Sequence, residues 1–172
     1  FFLKIFFFFS FFFIFLCLYQ VSMYQVLITT SDDEGDIILE RIYGKLLMKD
    51  RSDFLSMLLE ETQKDWASSI ERKESVAYVD DKIVVFSNVG GLLFFVSAVE
   101  GNDAAYDEVV LAEVLEGLLS ITRNICKKGV SKVEVLSNLG KLERYFDAAI
   151  STCGIVMHLT YDMVSCMVSG NS

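Results

Sequence analysis

Asp107-Glu-Val-Val-Leu-Ala-Glu-Val-Leu-Glu-Gly-Leu-Leu119 leads to Lys127-Lys-Gly-Val-Ser-Lys-Val-Glu-Val-Leu-Ser-Asn-Leu-Gly140 and then to Phe146-Asp-Ala-Ala-Ile-Ser-Thr-Cys-Gly-Ile-Val156. In the first run Val110, Val114, Leu118 and Ile121 form one helical row, with Leu111, Leu115, Leu119 and Ile125 beside it. Two adjacent rows make an apolar face too wide for solvent, which must lie on a sheet. Asp107, Glu108, Glu113 and Glu116 fall outside that face. Ser131-Lys-Val-Glu134 has the spacing of a capping box, in which hydroxyl and carboxylate each satisfy a free amide. A short helix to about Asn138 follows, then a second over Leu139–Ser151. Gly154 is placed to stop it.

Working backwards, the chain supplies the sheet. Met23–Thr30 and Ile37–Tyr43 are rich in β-branched and aromatic residues, and the polar cluster Ser31–Asp36 between them is a turn. Ser75–Val79, Lys82–Ser87 and Leu92–Val99 read as three more strands, joined by Asp80-Asp81 and by Asn88–Gly91, connections short enough for antiparallel neighbours. Leu92–Val96 is apolar on both faces and belongs deepest in the sheet. Between the strand groups a helix is expected over Ser52–Arg72, capped by Ser52 and favoured by Asp53. Its buried stripe is Phe54, Leu55, Leu58, Leu59, Trp66 and Ile70. Two strands, a helix, three strands and then helices give an α/β fold: a five-stranded antiparallel sheet with helices packed on its faces.

The 172 residues carry a formal net charge of −9. That balance excludes the clustered basic footprint of a nucleic-acid binder and disfavours direct contact with anionic lipid. Cys17, Cys126, Cys153 and Cys166 show no C-x-x-C spacing, which fits a reducing compartment. Phe1–Leu18 stands apart, with ten of the fifteen phenylalanines and one charge, Lys4. It lacks the basic start and cleavage site of a secretory signal. Its length suits a membrane anchor, and its composition also suits a translated non-coding stretch ahead of Met23. The expected organisation is a Phe-rich segment over 1–22 and one domain over 23–172.

The chemistry of an enzyme is not legible. His158, the one histidine, lies in an apolar segment with no orienting partner. Cys153 lies five residues from it, without the basic surroundings that activate a thiol. The carboxylates of Asp32-Asp33-Glu34-Gly35-Asp36 are contiguous, whereas a calcium loop spaces its ligands. Val89-Gly-Gly91 is no phosphate loop, and Lys127-Lys128 suits a helix C-terminus. No catalytic, cofactor-binding or metal-binding residue is therefore nominated. Trp66, Leu139, Leu142 and Phe146 are the candidate partner-interface residues, because a domain this rich in apolar periodicity should leave some of it exposed, and such patches mark partner sites.

The helical runs quoted above resemble the C-terminal half of the coatomer zeta family, the small longin-like chains of the COPI vesicle coat. The resemblance spans about three quarters of the chain and is one of spacing. Asp32, Glu34 and Gly35 match the family's first turn, and Arg41-Ile-Tyr43 stands in its closing triplet. Gly154–Tyr161 lacks the acid and the proline that the family carries there. The resemblance implies a longin-like fold and no reaction. It implies a large gamma-type subunit as tight partner, indirect recruitment to Golgi membranes through an Arf-family GTPase, and transport within the Golgi and back to the endoplasmic reticulum. The alternatives are a sigma-type small chain of a clathrin adaptor or related complex, and a longin-bearing membrane-anchored trafficking protein.

Overall fold

In the computed structural model the described residues are 23–31, 35–43, 48–66, 74–99 and 107–170. The Phe-rich segment, Ile70 and the carboxylates of Asp32, Asp33 and Glu34 lie outside them. Five strands, β1 (Met23–Thr30), β2 (Ile37–Ile42), β3 (Ser75–Val79), β4 (Lys82–Val89) and β5 (Leu92–Val99), form one antiparallel sheet in the order β2-β1-β5-β4-β3. The expected longin-like sheet is present. β5 lies at its centre, as its two-sided apolar run requires, with Leu92 to Ala98 all buried.

The side-chain alternation of the strands feeds two cores. Val26, Ile28, Leu39, Ile83, Val85, Leu92, Phe94 and Val96 point to one face. There they meet α2 (Glu108–Ile125), α3 (Lys132–Ser137), α4 (Leu139–Ala149) and α5 (Tyr161–Gly170). Leu27, Val84, Phe86, Leu93 and Phe95 point to the other, where Phe54 and Leu58 of α1 (Met48–Thr62) cover them. Phe86 and Phe95 sit directly opposite one another on adjacent strands, and their rings stack at 5.4 Å. A bulge between Met23 and Gln25 in the pairing with β5 turns Tyr24 to the α1 face, where its ring meets Phe54 edge-on at 5.2 Å.

Helix α2 buries both expected rows except Val110, which is half-buried. Asp107, expected simply to face water, also caps the helix by accepting the Val110 N–H at 2.8 Å. Ser131 caps α3, while the Glu134 carboxylate turns to Asn138 and does not close the box.

Three expectations need correction. Helix α1 begins at Met48, so Ser52 lies inside it and is no cap; a further turn brings Arg51 to an ion pair with Glu40 of β2. The regular helix ends at Thr62, and a 3-10 turn over Gln63–Asp65 follows. Helix α4 ends at Ala149, with Ile150 extended, and Gly154 (φ 78°) makes the turn that brings Val156 back to bridge Ile150. The returning segment then reaches α5, a helix that the sequence reading missed. Tyr161-Asp-Met-Val-Ser-Cys-Met-Val-Ser-Gly170 has one fully buried residue, Val164, and apolar side chains around most of its circumference. Such a run lacks the one-sided periodicity that announces a helix.

Neighbouring residues of β2 pin helices to opposite faces. Glu40 points to the α1 side, bonding Gln25 at 2.7 Å and pairing with Arg51. Arg41 points to the other side and pairs with Asp147 (2.9 Å) and Glu143 (3.2 Å) of α4. Hydrogen bonding to Asp147 holds the Arg41 guanidinium above its ordinary pKa. At the β3–β4 hairpin Lys82 is buried and performs the same service for α1. Its Nζ lies 4.6 Å from the Tyr24 ring centroid and 5.0 Å from that of Phe54, with Asp80 and Asp81 as counter-ions.

Candidate partner interface

The four residues expected at a partner surface part company in the fold. Leu142 and Phe146 are wholly buried in the helical core. They cannot touch a partner directly, because each is on the face of α4 that packs inward; this corrects the expectation for those two. Leu139 is half-buried at the edge of the same core. Trp66 is half-buried on the opposite face of the sheet, against the smaller core. Its indole N–H donates to Thr62 Oγ1 at 3.1 Å, Thr62 in turn donates to the Leu58 carbonyl, and the Trp66 carbonyl accepts from Asn88. Trp66 is therefore held in place and only partly accessible. Leu139 and Trp66 remain as candidates, though on different faces.

The outward side of α4 carries a concavity that no single sequence run announces. Arg144, Asp147 and Ala148 of α4, Ser151 and Met157 of the returning segment, and Met167 and Val168 of α5 line a groove of about 580 Å³. Its apolar wall is flexible, since Met side chains adapt to irregular partners. Its polar groups differ in how far they are satisfied. Asp147 is held by Arg41, and Ser151 Oγ accepts the Ile155 N–H at 3.1 Å. Arg144 donates to the Gly140 carbonyl of its own helix at 3.2 Å and has no other hydrogen bond among the described residues. Behind the groove Tyr145 and Tyr161 stack at 5.5 Å, and the Tyr145 hydroxyl bonds Ser165. The bond to Ser165 together with Lys141 and Arg144 nearby lowers the Tyr145 pKa.

Other apolar side chains stand in solvent singly or in pairs. Val133 (74% exposed) and Leu136 (48%) lie on one side of α3, and Met163 on α5 is 51% exposed. The acidic outside of α2 is free of such residues apart from Val109 at its first turn.

Among the described residues no three His, Cys, Asp or Glu side chains converge on a metal position. His158 is partly exposed, and its backbone N–H bonds the Ala149 carbonyl. Cys153 is exposed and contacts Ser151 Oγ at 3.2 Å, while burial raises the pKa of Cys126 and so suppresses its thiolate. Among the described residues no helix is long and apolar enough to cross a membrane.

No protein-family model matches the chain. It is 28% identical over 121 residues to TSET complex member tstD of Dictyostelium discoideum, covering 70% of this chain and 76% of that protein. It is 30% identical over 119 residues to coatomer subunit zeta-1 of Arabidopsis thaliana, covering 69% of this chain and 63% of that protein. The fold matches a chain in a homology model of the full-length AP-3 complex with a TM-score of 0.56 and 15% identity, covering 87% of this chain and 92% of the other. In sequence the chain is thus similar to subunits of two complexes, TSET and coatomer, and in fold to a chain of the AP-3 complex.

Proposed function

We propose that this chain is a non-catalytic structural subunit of a vesicle coat, of the coatomer zeta type, held in the coat by a large gamma-type subunit. The observation that carries the reading is the coincidence of one fold with sequence likeness to coatomer zeta-1 across more than two thirds of the chain. A small chain of this kind performs no reaction; what it offers is a folded surface complementary to one large partner. Trp66 and Leu139 would contribute contacts to that surface, with Leu142 and Phe146 supporting Leu139 from beneath. Its acidic balance leaves membrane recruitment to the partner and, through it, to an Arf-family GTPase. The reading puts the protein at the cytosolic face of Golgi membranes and COPI-coated vesicles, in transport within the Golgi and back to the endoplasmic reticulum.

A second reading is favoured by one observation: the likeness to the TSET complex member covers more of that relative than the likeness to zeta-1 covers of its own. Under it the chain is the corresponding small subunit of a TSET-type complex. A sigma-type adaptor chain shares the fold and is the third member of this set. Affinity isolation from the source cells, followed by mass measurement of the intact complex, tests all three. A one-to-one complex with a gamma-type large chain supports the first, and a different large chain moves the protein to one of the others. A monomer with no stoichiometric large partner overturns the coat-subunit reading altogether.

A further inference from the structure

We infer that helix α1 is a releasable cover: it lifts from the sheet as one unit while the sheet and the helices on its other face stay folded. Lifting uncovers an apolar face formed by Leu27, Leu93 and Phe95, which the closed helix keeps from water. The device is built into this chain and does not depend on which large chain is its partner.

The seat of α1 can be traced residue by residue. Near its start Arg51 pairs with Glu40, Glu40 accepts from Gln25, and Gln25 stands opposite Ser97 in the sheet. Farther along, Leu59 lies against Gly35, with 3.2 Å between its Cδ1 and the place that a Cβ would take there. Beyond the helix the Trp66 carbonyl accepts from Asn88, and Asn88 and Thr29 flank Leu93 on its two sides. The helix thus runs over β1 and β5 from Ser97 to Thr29. These two residues carry the buried hydroxyls of this face that have no hydrogen-bond partner.

Two features make that seat reversible. The grip is narrow: among the described side chains of α1, Phe54, Leu58 and Thr62 alone are buried, one per turn, whereas α2 buries eight. Thr62 donates its hydroxyl to the Leu58 carbonyl of its own helix, so Phe54 and Leu58 hold the sheet. The remaining hold is at the margins, with Arg51 on Glu40 and Lys82 over the Phe54 ring. In addition, the closed helix leaves the Ser97 and Thr29 hydroxyls dry and unpaired, a desolvation cost that water removes once the helix lifts. The sheet itself does not need α1, because its strands bond one another and α2, α4 and α5 cover the opposite face. A segment with few buried contacts and no bond in the ladder is the kind that opens below the threshold of global unfolding.

The test uses the full chain carrying Ser97→Cys together with Cys17→Ser, Cys153→Ser and Cys166→Ser. The new thiol lies beneath α1, and Cys126, buried in the first core, reports global unfolding. Under native conditions a thiol reagent should label position 97 about a hundredfold faster than Cys126. Leu118→Ala should speed the labelling of Cys126 about a hundredfold or more and leave position 97 unchanged, because α2 is still seated when α1 is open. Leu58→Ala should speed position 97 about thirtyfold, and Thr29→Val, which removes a dry hydroxyl at equal shape, should slow it about tenfold. A common rate for both thiols, an equal effect of Leu118→Ala on both, or no response of position 97 to Leu58→Ala and Thr29→Val overturns the inference. Should Ser97→Cys fail to fold, amide exchange of the unaltered chain decides. The amides of Phe54–Thr62 should then exchange together and well before those of Leu111–Ile121, and simultaneous exchange of the two sets overturns the inference.

Discussion

On one face of the sheet, α2 lies along β4 and β5 with Leu111, Leu115, Leu118 and Ile121 wholly buried, and α4 and α5 close over its flank. On the other, the helix α1 presents Phe54 and Leu58 to Phe86, Leu93 and Phe95. The first face is a layered core in which sheet, α2 and the α4–α5 pair pack on one another. The second is a single contact clamped at its margins by charge, Arg51 on Glu40 and Lys82 between two rings. Among the described residues three buried hydroxyls lack hydrogen-bond partners: Thr29 Oγ1 and Ser97 Oγ, which strand alternation puts on this second face, and Tyr43 Oη in the first core. The larger buried cluster concentrates stability on the helical side, and the α1 side is the one able to yield.

Identical truncations on the two faces put that contrast to a quantitative test. Leu118→Ala should cost about 3–5 kcal/mol, the upper part of the range for a buried leucine, because its surroundings cannot collapse into the cavity. Leu58→Ala should cost about 2–3 kcal/mol, since a helix held on one side can settle toward the sheet. Urea unfolding of both variants checks this, and equal losses would erase the distinction. Two glycines mark where the helical side is tightest. At Gly90 (φ 63°) an added Cβ would lie 1.9 Å from the Val130 carbonyl oxygen, so Gly90→Ala should lose more than the roughly 1–2 kcal/mol of a left-handed alanine. At Gly117 it would lie 2.7 Å from Leu159 Cβ. Gly117→Ala should lift the segment before α5, seen as faster amide exchange at Leu159 and Val164, and leave α1 unchanged.

Smaller effects sharpen the comparison at its edges. Hydrogen bonding to Lys82 lowers the pKa of the Asp81 carboxyl. A depressed carboxylate contributes its full stability above the ordinary aspartate pKa of about 4 and loses it as pH falls through the folded value. Lys82→Met should therefore flatten the acid limb of the stability curve and loosen α1 preferentially, read by Trp66 fluorescence. Glu113→Gln on the outside of α2 should change stability by about 0.5 kcal/mol or less. A larger loss would mean that its face of α2 carries more than solvent.

How much of this was legible depends on periodicity. The strands were readable because runs of β-branched and aromatic residues bounded by short turns admit few other structures; β3 and β5 have the expected bounds, and β4 runs two residues longer. Helix α2 was readable because two adjacent apolar rows can only be buried. Helix α5 was not, because Met163, Cys166 and Met167 spread apolar character around it; the i, i+4 pair Val164 and Val168, between Thr160 and Gly170, was the faint trace available. Of the interface residues named from sequence, Leu142 and Phe146 proved to be core for the same reason: a hydrophobic letter on an amphipathic helix does not say how far the next layer extends. The groove joins α4 to a helix twenty residues on, so no single sequence window contains its lining.

The sequence by itself determined the sheet, the order of its elements and the helix that must cover it, because hydrophobic period and turn chemistry are local properties of the chain. Only the tertiary structure decided which apolar residues remain outside, which charges are spent and where a groove opens. Those depend on the return of the chain past Gly154, across Gly117 and onto α4, a long-range packing that no window of neighbouring residues contains.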